Sequence, residues 1–172
     1  MAGTFNAYIK GAAEAKPRMP LMHSCRVQIF RELVDKDRLI PSAADDYGGK
    51  PLLFFFYGRP AFRVDHGHEA SSQLRLHPVC LVLEPDCLTS IERILPFDSG
   101  AYYRGMFDRH MNGHSCENFE LDPSLDMPAR LVNRFFGSNE LYFSGTPQIV
   151  SMPPFELEAH SYHSLIHDTG WD

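Results

Sequence analysis

The chain predicts an α+β fold, a mixed and mostly antiparallel sheet with a few short helices. Apolar runs of strand length stand at residues 52–56 and 79–83, and segments with one apolar helical face stand at 24–36 and 128–136. These segments interleave irregularly rather than in strict strand–helix–strand order. The 13 prolines and 12 glycines demand many turns, which disfavours a helical bundle.

A length of 172 residues fits one domain that buries a full core without staples. Residues 1–20 mix small and charged side chains and read as an irregular N-terminal arm, leaving 21–172 as a single α+β domain. Hydrophobic content of 44% and aromatic content of 12% support a packed interior. The formal charge of -6 argues against broad nonspecific nucleic-acid binding, although it leaves room for a local basic pocket. Cys25, Cys80, Cys87 and Cys116 form no CxxC pair, and the opening MAGTFNAYIKGAAEAK has no apolar stretch of signal or membrane-span length. A cytoplasmic protein with reduced thiols and no membrane contact is the expectation.

Residues 21–25 read as a short apolar strand ending in a helix-capping residue. Ser24 or Cys25 then starts a helix to about Lys36, with Val27, Phe30, Leu33 and Val34 on its apolar face. Asp45, Asp46, Gly48 and Gly49 make residues 43–50 a loop. The unbroken run at 52–56, bounded by Pro51 and Gly58, reads as a strand buried on both faces. A polar loop at 65–73 leads to a second strand at 79–83, and a short helix is expected at 88–95. Residues 109–121 read as a loop or short helix. At 128–136, Pro128 in the first turn and Leu131, Val132, Phe135 and Phe136 on one side predict a helix ended by Gly137. Short strands are expected at 140–144, 148–151 and 155–162.

Three places could carry chemistry. His23 at a strand end can hold a ligand hydroxyl, while Ser24 and the first helical N–H groups can meet an anion; taken alone, this cluster reads better as an incidental His beside a capping Ser. Tyr57-Gly58-Arg59 puts a stacking ring, a closely approachable backbone and a guanidinium at a core rim. The plainer alternative is a core Tyr and a surface ion pair. In a strand, Glu156 and Glu158 project to one face, and paired carboxylates raise one another's pKa or stabilise a developing cation. ExE strings are also common on exposed strands. His66, His68, His110, His114 and Cys116 could be zinc ligands, but Asn112-Gly113 breaks helical spacing and CxxC is missing, so no metal is expected. GxSxG, P-loop and GxGxxG motifs do not occur.

The order of these sites resembles the ADP-ribosyltransferase superfamily. It runs from His23-Ser24 on a first strand, through a helix ending in Arg38-Leu39-Ile40-Pro41-Ser42 and a second strand with an aromatic rim, to a late Glu. The resemblance implies an ADP-ribosyltransferase-like fold with NAD as substrate. It also implies a catalytic set of His23 on the nicotinamide ribose, Tyr57 stacked on nicotinamide, and Glu158 organising ribose and acceptor. Binding of the dinucleotide then falls to His23, Ser24, Tyr57, Gly58 and Arg59, with Arg59 at the pyrophosphate. The implied activity is transfer of ADP-ribose to a macromolecular acceptor, or hydrolysis of NAD. Glu156-Leu157-Glu158 is similar to the paired-Glu motif of the arginine-modifying branch, whose first-strand Arg and second-strand Ser-Thr-Ser are missing. Only Tyr102 or Tyr103 is offered for the family's second stacking ring. The resemblance spans 23–40, 52–63 and 155–162.

A rival reading is a non-enzymatic interaction, inhibitor or sensor domain that binds a protein or nucleic-acid partner. The acidic balance suits it, as do the many aromatics expected at the surface, Tyr102, Tyr103, Phe107 and Trp171. In that case His23, Tyr57 and Glu158 would not converge. A third reading is a metal-dependent hydrolase built on His66, His68, His110 and His114.

Overall fold

A computed structural model of the chain describes residues 2–61 and 72–145. In chain order the elements are α1 (Ala2–Lys10), β1 (Leu21–Arg26), α2 (Val27–Lys36), β2 (Ser42–Ala44), β3 (Lys50–Leu52), β4 (Phe56–Tyr57), β5 (Pro78–Leu83), α3 (Ser99–Tyr103), α4 (Asp126–Phe136) and α5 (Asn139–Phe143). Every named strand pair is antiparallel, in a three-stranded sheet of order β4-β1-β5 and a two-stranded sheet β2-β3. The class is therefore α+β with small antiparallel sheets. Among the described residues no helix is long and apolar enough to cross a membrane. The chain gathers into two compact units, Met1–Met19 with Pro85–Asp172, and Pro20–Glu84. The expected strands at 148–151 and 155–162 and most of the loop at 65–73 lie outside the described residues.

In the first unit, the first half of the expected irregular arm, Ala2–Lys10, is instead a helix, while residues 11–19 are irregular. Phe5 and Ile9, four apart on one face of α1, are fully buried. The carbonyls left open at the end of α1 are met from α4. Arg134 Nη2 donates to the Tyr8 carbonyl at 3.0 Å, and Arg130 Nη1 donates to the carbonyls of Lys10 and Ala12. The Arg134 guanidinium also lies over the Tyr8 ring, 4.3 Å from its centre. Asn6 Nδ2 donates to Asp122 Oδ1 at 2.6 Å, while Asp122 N–H donates back to Asn6 Oδ1 at 3.0 Å. None of these partners is visible in the composition of residues 1–20, because all lie more than a hundred positions away.

Helix α4 buries Leu131, Val132, Phe135 and Phe136 as expected, and ends at Gly137, whose φ of 77° is a left-handed cap. It starts before Pro128, at Asp126. The expected strand at 140–144 is instead the helix α5. Ser138 Oγ accepts from the Leu141 N–H at 3.2 Å, and Glu140 sits in the first turn. This cap outweighs a five-residue segment too short to specify a strand. The expected helix at 88–95 does not form. Pro96 bars helical backbone at Leu95, and Ile94 bridges to Leu121, whose N–H reaches the Ile94 carbonyl at 3.0 Å. The core is aromatic. Phe97 meets Phe107 and Phe119 edge-on with ring centres 5.7 and 5.8 Å apart, and Phe5 meets Phe119 at 5.4 Å. Phe107, expected at the surface, is fully buried in this cluster.

In the second unit, β1 pairs with β5 over its whole length, matching Leu21 to Leu83 and Arg26 to Pro78. That ladder holds Ser24 and Cys25 extended, so α2 begins at Val27, later than expected, and still ends at Lys36. Leu33 is buried on α2, whereas Val34, placed on the same apolar face by the sequence, is 61% exposed. The apolar run at 52–56 is not one strand buried on both faces. Its first residue closes the β2–β3 hairpin, its last opens β4, and Phe54 between them is 43% exposed. A single run is thus divided between two sheets.

Candidate functional site

The sheet β4-β1-β5 positions the early candidates. Leu21 faces Tyr57 and Met22 faces Phe56 across the antiparallel pair. Facing residues share a side of the sheet and side chains alternate along a strand, so Leu21, His23, Cys25 and Tyr57 project to one face. His23 is the diagonal neighbour of Tyr57, a separation of about 7–8 Å. The register is extended by ring contact between His23 and Phe55, 5.6 Å between centres. Two candidates separated by more than thirty positions are therefore brought together.

The imidazole is held by the chain that links the two sheets. His23 Nδ1 lies 2.9 Å from the Phe54 carbonyl oxygen. A carbonyl only accepts, so Nδ1 carries the proton, which in the neutral tautomer leaves Nε2 as the acceptor. The Phe54 ring meets Tyr47 from the β2–β3 turn at 5.8 Å. The carbonyl of Phe54 and the ring of Phe55 are the supports that sequence reasoning missed. A backbone oxygen carries no residue signature, and Phe55 reads only as part of an apolar run.

Gly58 closes β4 with φ of 74°, a backbone region that L side chains resist, and its N–H donates to the Pro20 carbonyl at 2.8 Å. Arg59 follows it, half-buried. Ser24 does not join His23. It faces Cys80 and projects to the other side of the sheet with Met22 and Val82. Nor does it cap α2, whose capping position is Arg26 without a side-chain bond. The expectation that Ser24 starts or caps α2 is thereby corrected, since it lies within β1. Glu156 and Glu158 lie outside the described residues, as does Trp171.

Cysteine chemistry is suppressed at two positions. Burial, aided by Cys80, pushes the Cys25 thiol up, and burial pushes Cys116 in the first unit up to about 11 against the pull of Arg93. No family model matches this chain, and neither does any curated protein or solved structure. Among the described residues no three His, Cys, Asp or Glu side chains gather as a metal site, and His66 and His68 lie outside them. His114 instead packs edge-on against Phe119, 6.0 Å between ring centres.

Proposed function

We propose that the His23–Tyr57 face binds the nicotinamide riboside half of NAD, and that the chain transfers ADP-ribose to a macromolecular acceptor or to water on an ADP-ribosyltransferase-like framework. The observation that carries this reading is the β1–β4 register, which sets His23 and Tyr57 as diagonal neighbours on one face. In this reading His23 Nε2 accepts a hydrogen bond from a ribose hydroxyl, Tyr57 stacks on the pyridinium, and Gly58 allows close approach. Arg59 takes the pyrophosphate in a bidentate contact. Glu158 stabilises the positive charge that develops at the ribose C1′ as the glycosidic bond breaks. Nicotinamide leaves with the bonding pair, and an acceptor lone pair forms the new bond to C1′ as the acceptor gives its proton to solvent. Glu156 positions the acceptor.

The test is release of nicotinamide from NAD by the purified chain, alone and with candidate acceptors, beside calorimetric binding of NAD. Glu158→Gln is expected to abolish release with binding retained, and Tyr57→Ala to weaken binding. The absence of both release and binding would remove the proposal.

A second reading, a partner-binding domain without catalysis, is favoured by the apolar surface of the second unit, where Leu74 is 70% and Val82 66% exposed. Glu158-dependent nicotinamide release would sink it.

A further inference from the structure

We propose that β5 pairs antiparallel with the β5 of a second copy of this chain, across a two-fold axis normal to the sheet. Among the described residues β5 is hydrogen-bonded to a strand on one side only, to β1, over all six of its residues. Its sequence, PVCLVL, carries no charge, and Cys80 and Val82, on one face of the sheet, are exposed. Edge strands of this length are ordinarily blunted by a lysine, a bulge or a covering element, because their unpaired backbone groups template another strand. β5 has no lysine and, in its unbroken register with β1, no bulge, and its one proline, Pro78, stands at the first position and leaves residues 79–83 with their backbone N–H groups.

Charge at the strand ends selects the occupant and its direction. Arg75 precedes β5, while Glu84 follows it. Antiparallel pairing of two copies sets the basic end of each beside the acidic end of the other, so both ends are complementary at once. Parallel pairing would set like against like. The symmetry also restricts register. Facing residues share a side of the sheet, so a two-fold axis normal to it passes only where a residue meets its own copy. A central register therefore puts Cys80 or Leu81 on the axis. The outcome is a continuous sheet β4-β1-β5-β5-β1-β4 that leaves the β4 edge, and with it His23 and Tyr57, unaltered. The inference is independent of NAD binding.

Sedimentation equilibrium of the full chain across a wide range of concentrations is expected to show a monomer–dimer equilibrium. Cys80→Lys, at an exposed position, sets like charges across or beside the axis and is expected to weaken association about fivefold or more. Glu84→Lys is expected to weaken it as well, and Arg75→Glu added to Glu84→Lys to restore it, with far-ultraviolet circular dichroism unchanged throughout. A short bis-maleimide is expected to link the copies through Cys80, a product lost in Cys80→Ser and kept in Cys87→Ser. A monomer at every concentration, a dimer indifferent to Cys80→Lys, or failure of the charge swap to rescue Glu84→Lys would overturn the proposal.

Discussion

The two units bury their side chains to very different depths. In the first, Phe5, Ile9, Phe107, Phe119, Met127, Val132 and Phe136 are all but fully enclosed, and two arginines of α4 close the end of α1. In the second, Leu21 and Leu33 are the only large apolar side chains buried among the described residues, while Ile29, Val34, Ile40, Phe54, Leu74 and Val82 remain exposed. The first has the enclosed packing that resists opening. The second, which holds His23, Tyr57 and the bare β5 edge, has few buried contacts, as elements that bind and move commonly do.

The sharpest way to break this contrast is Phe119→Ala. The ring is enclosed between Phe5, Phe97 and His114, so its loss leaves a cavity that costs about 3–5 kcal/mol. Urea unfolding should show a large fall in midpoint, and a small fall would mean that the aromatic cluster is not the stabilising core. Leu33→Ala should cost less, about 2 kcal/mol, since the site is shallow and can relax. Its effect should appear as faster amide exchange within residues 20–84 and little change in the first unit. Val34→Ser, next to it but exposed, should change stability by no more than about 0.5 kcal/mol. Equal effects at 33 and 34 would contradict the observed burial of α2.

The smallest effect is in the response to acid. The Ser124 hydroxyl, then Arg130, holds the Asp126 carboxyl below the usual carboxylate range. A carboxyl depressed by folding contributes its stability above its unfolded pKa and loses it as pH falls through the folded value. The first unit should therefore weaken toward acid, and Asp126→Asn should flatten that decline. Midpoints measured against pH check it. An unaltered acid slope in the variant would remove Asp126 as a cause.

Helix α4 was legible because its apolar face is regular and Gly137 marks its end. The β5 strand was legible as a short apolar run closed by Glu84-Pro85. The site was legible in part. His23 and Tyr57 stand out as residue types, but their shared face depends on register, and Ser24 is parted from His23 by strand alternation that a helical start at Ser24 would not have imposed.

The sequence by itself determined elements whose signals are local: the apolar stripe of α4, the left-handed glycine after it, the uncharged run of β5 and the end of α2. Only the tertiary structure decided that residues 2–10 form a helix with Phe5 and Ile9 buried, that one phenylalanine-rich run serves two sheets, and that an imidazole and a phenol share one face of a sheet. The reason is physical. Periodicity reports which side of a segment seeks burial, whereas the partner that covers it, and the register at which strands meet, are set by groups far along the chain.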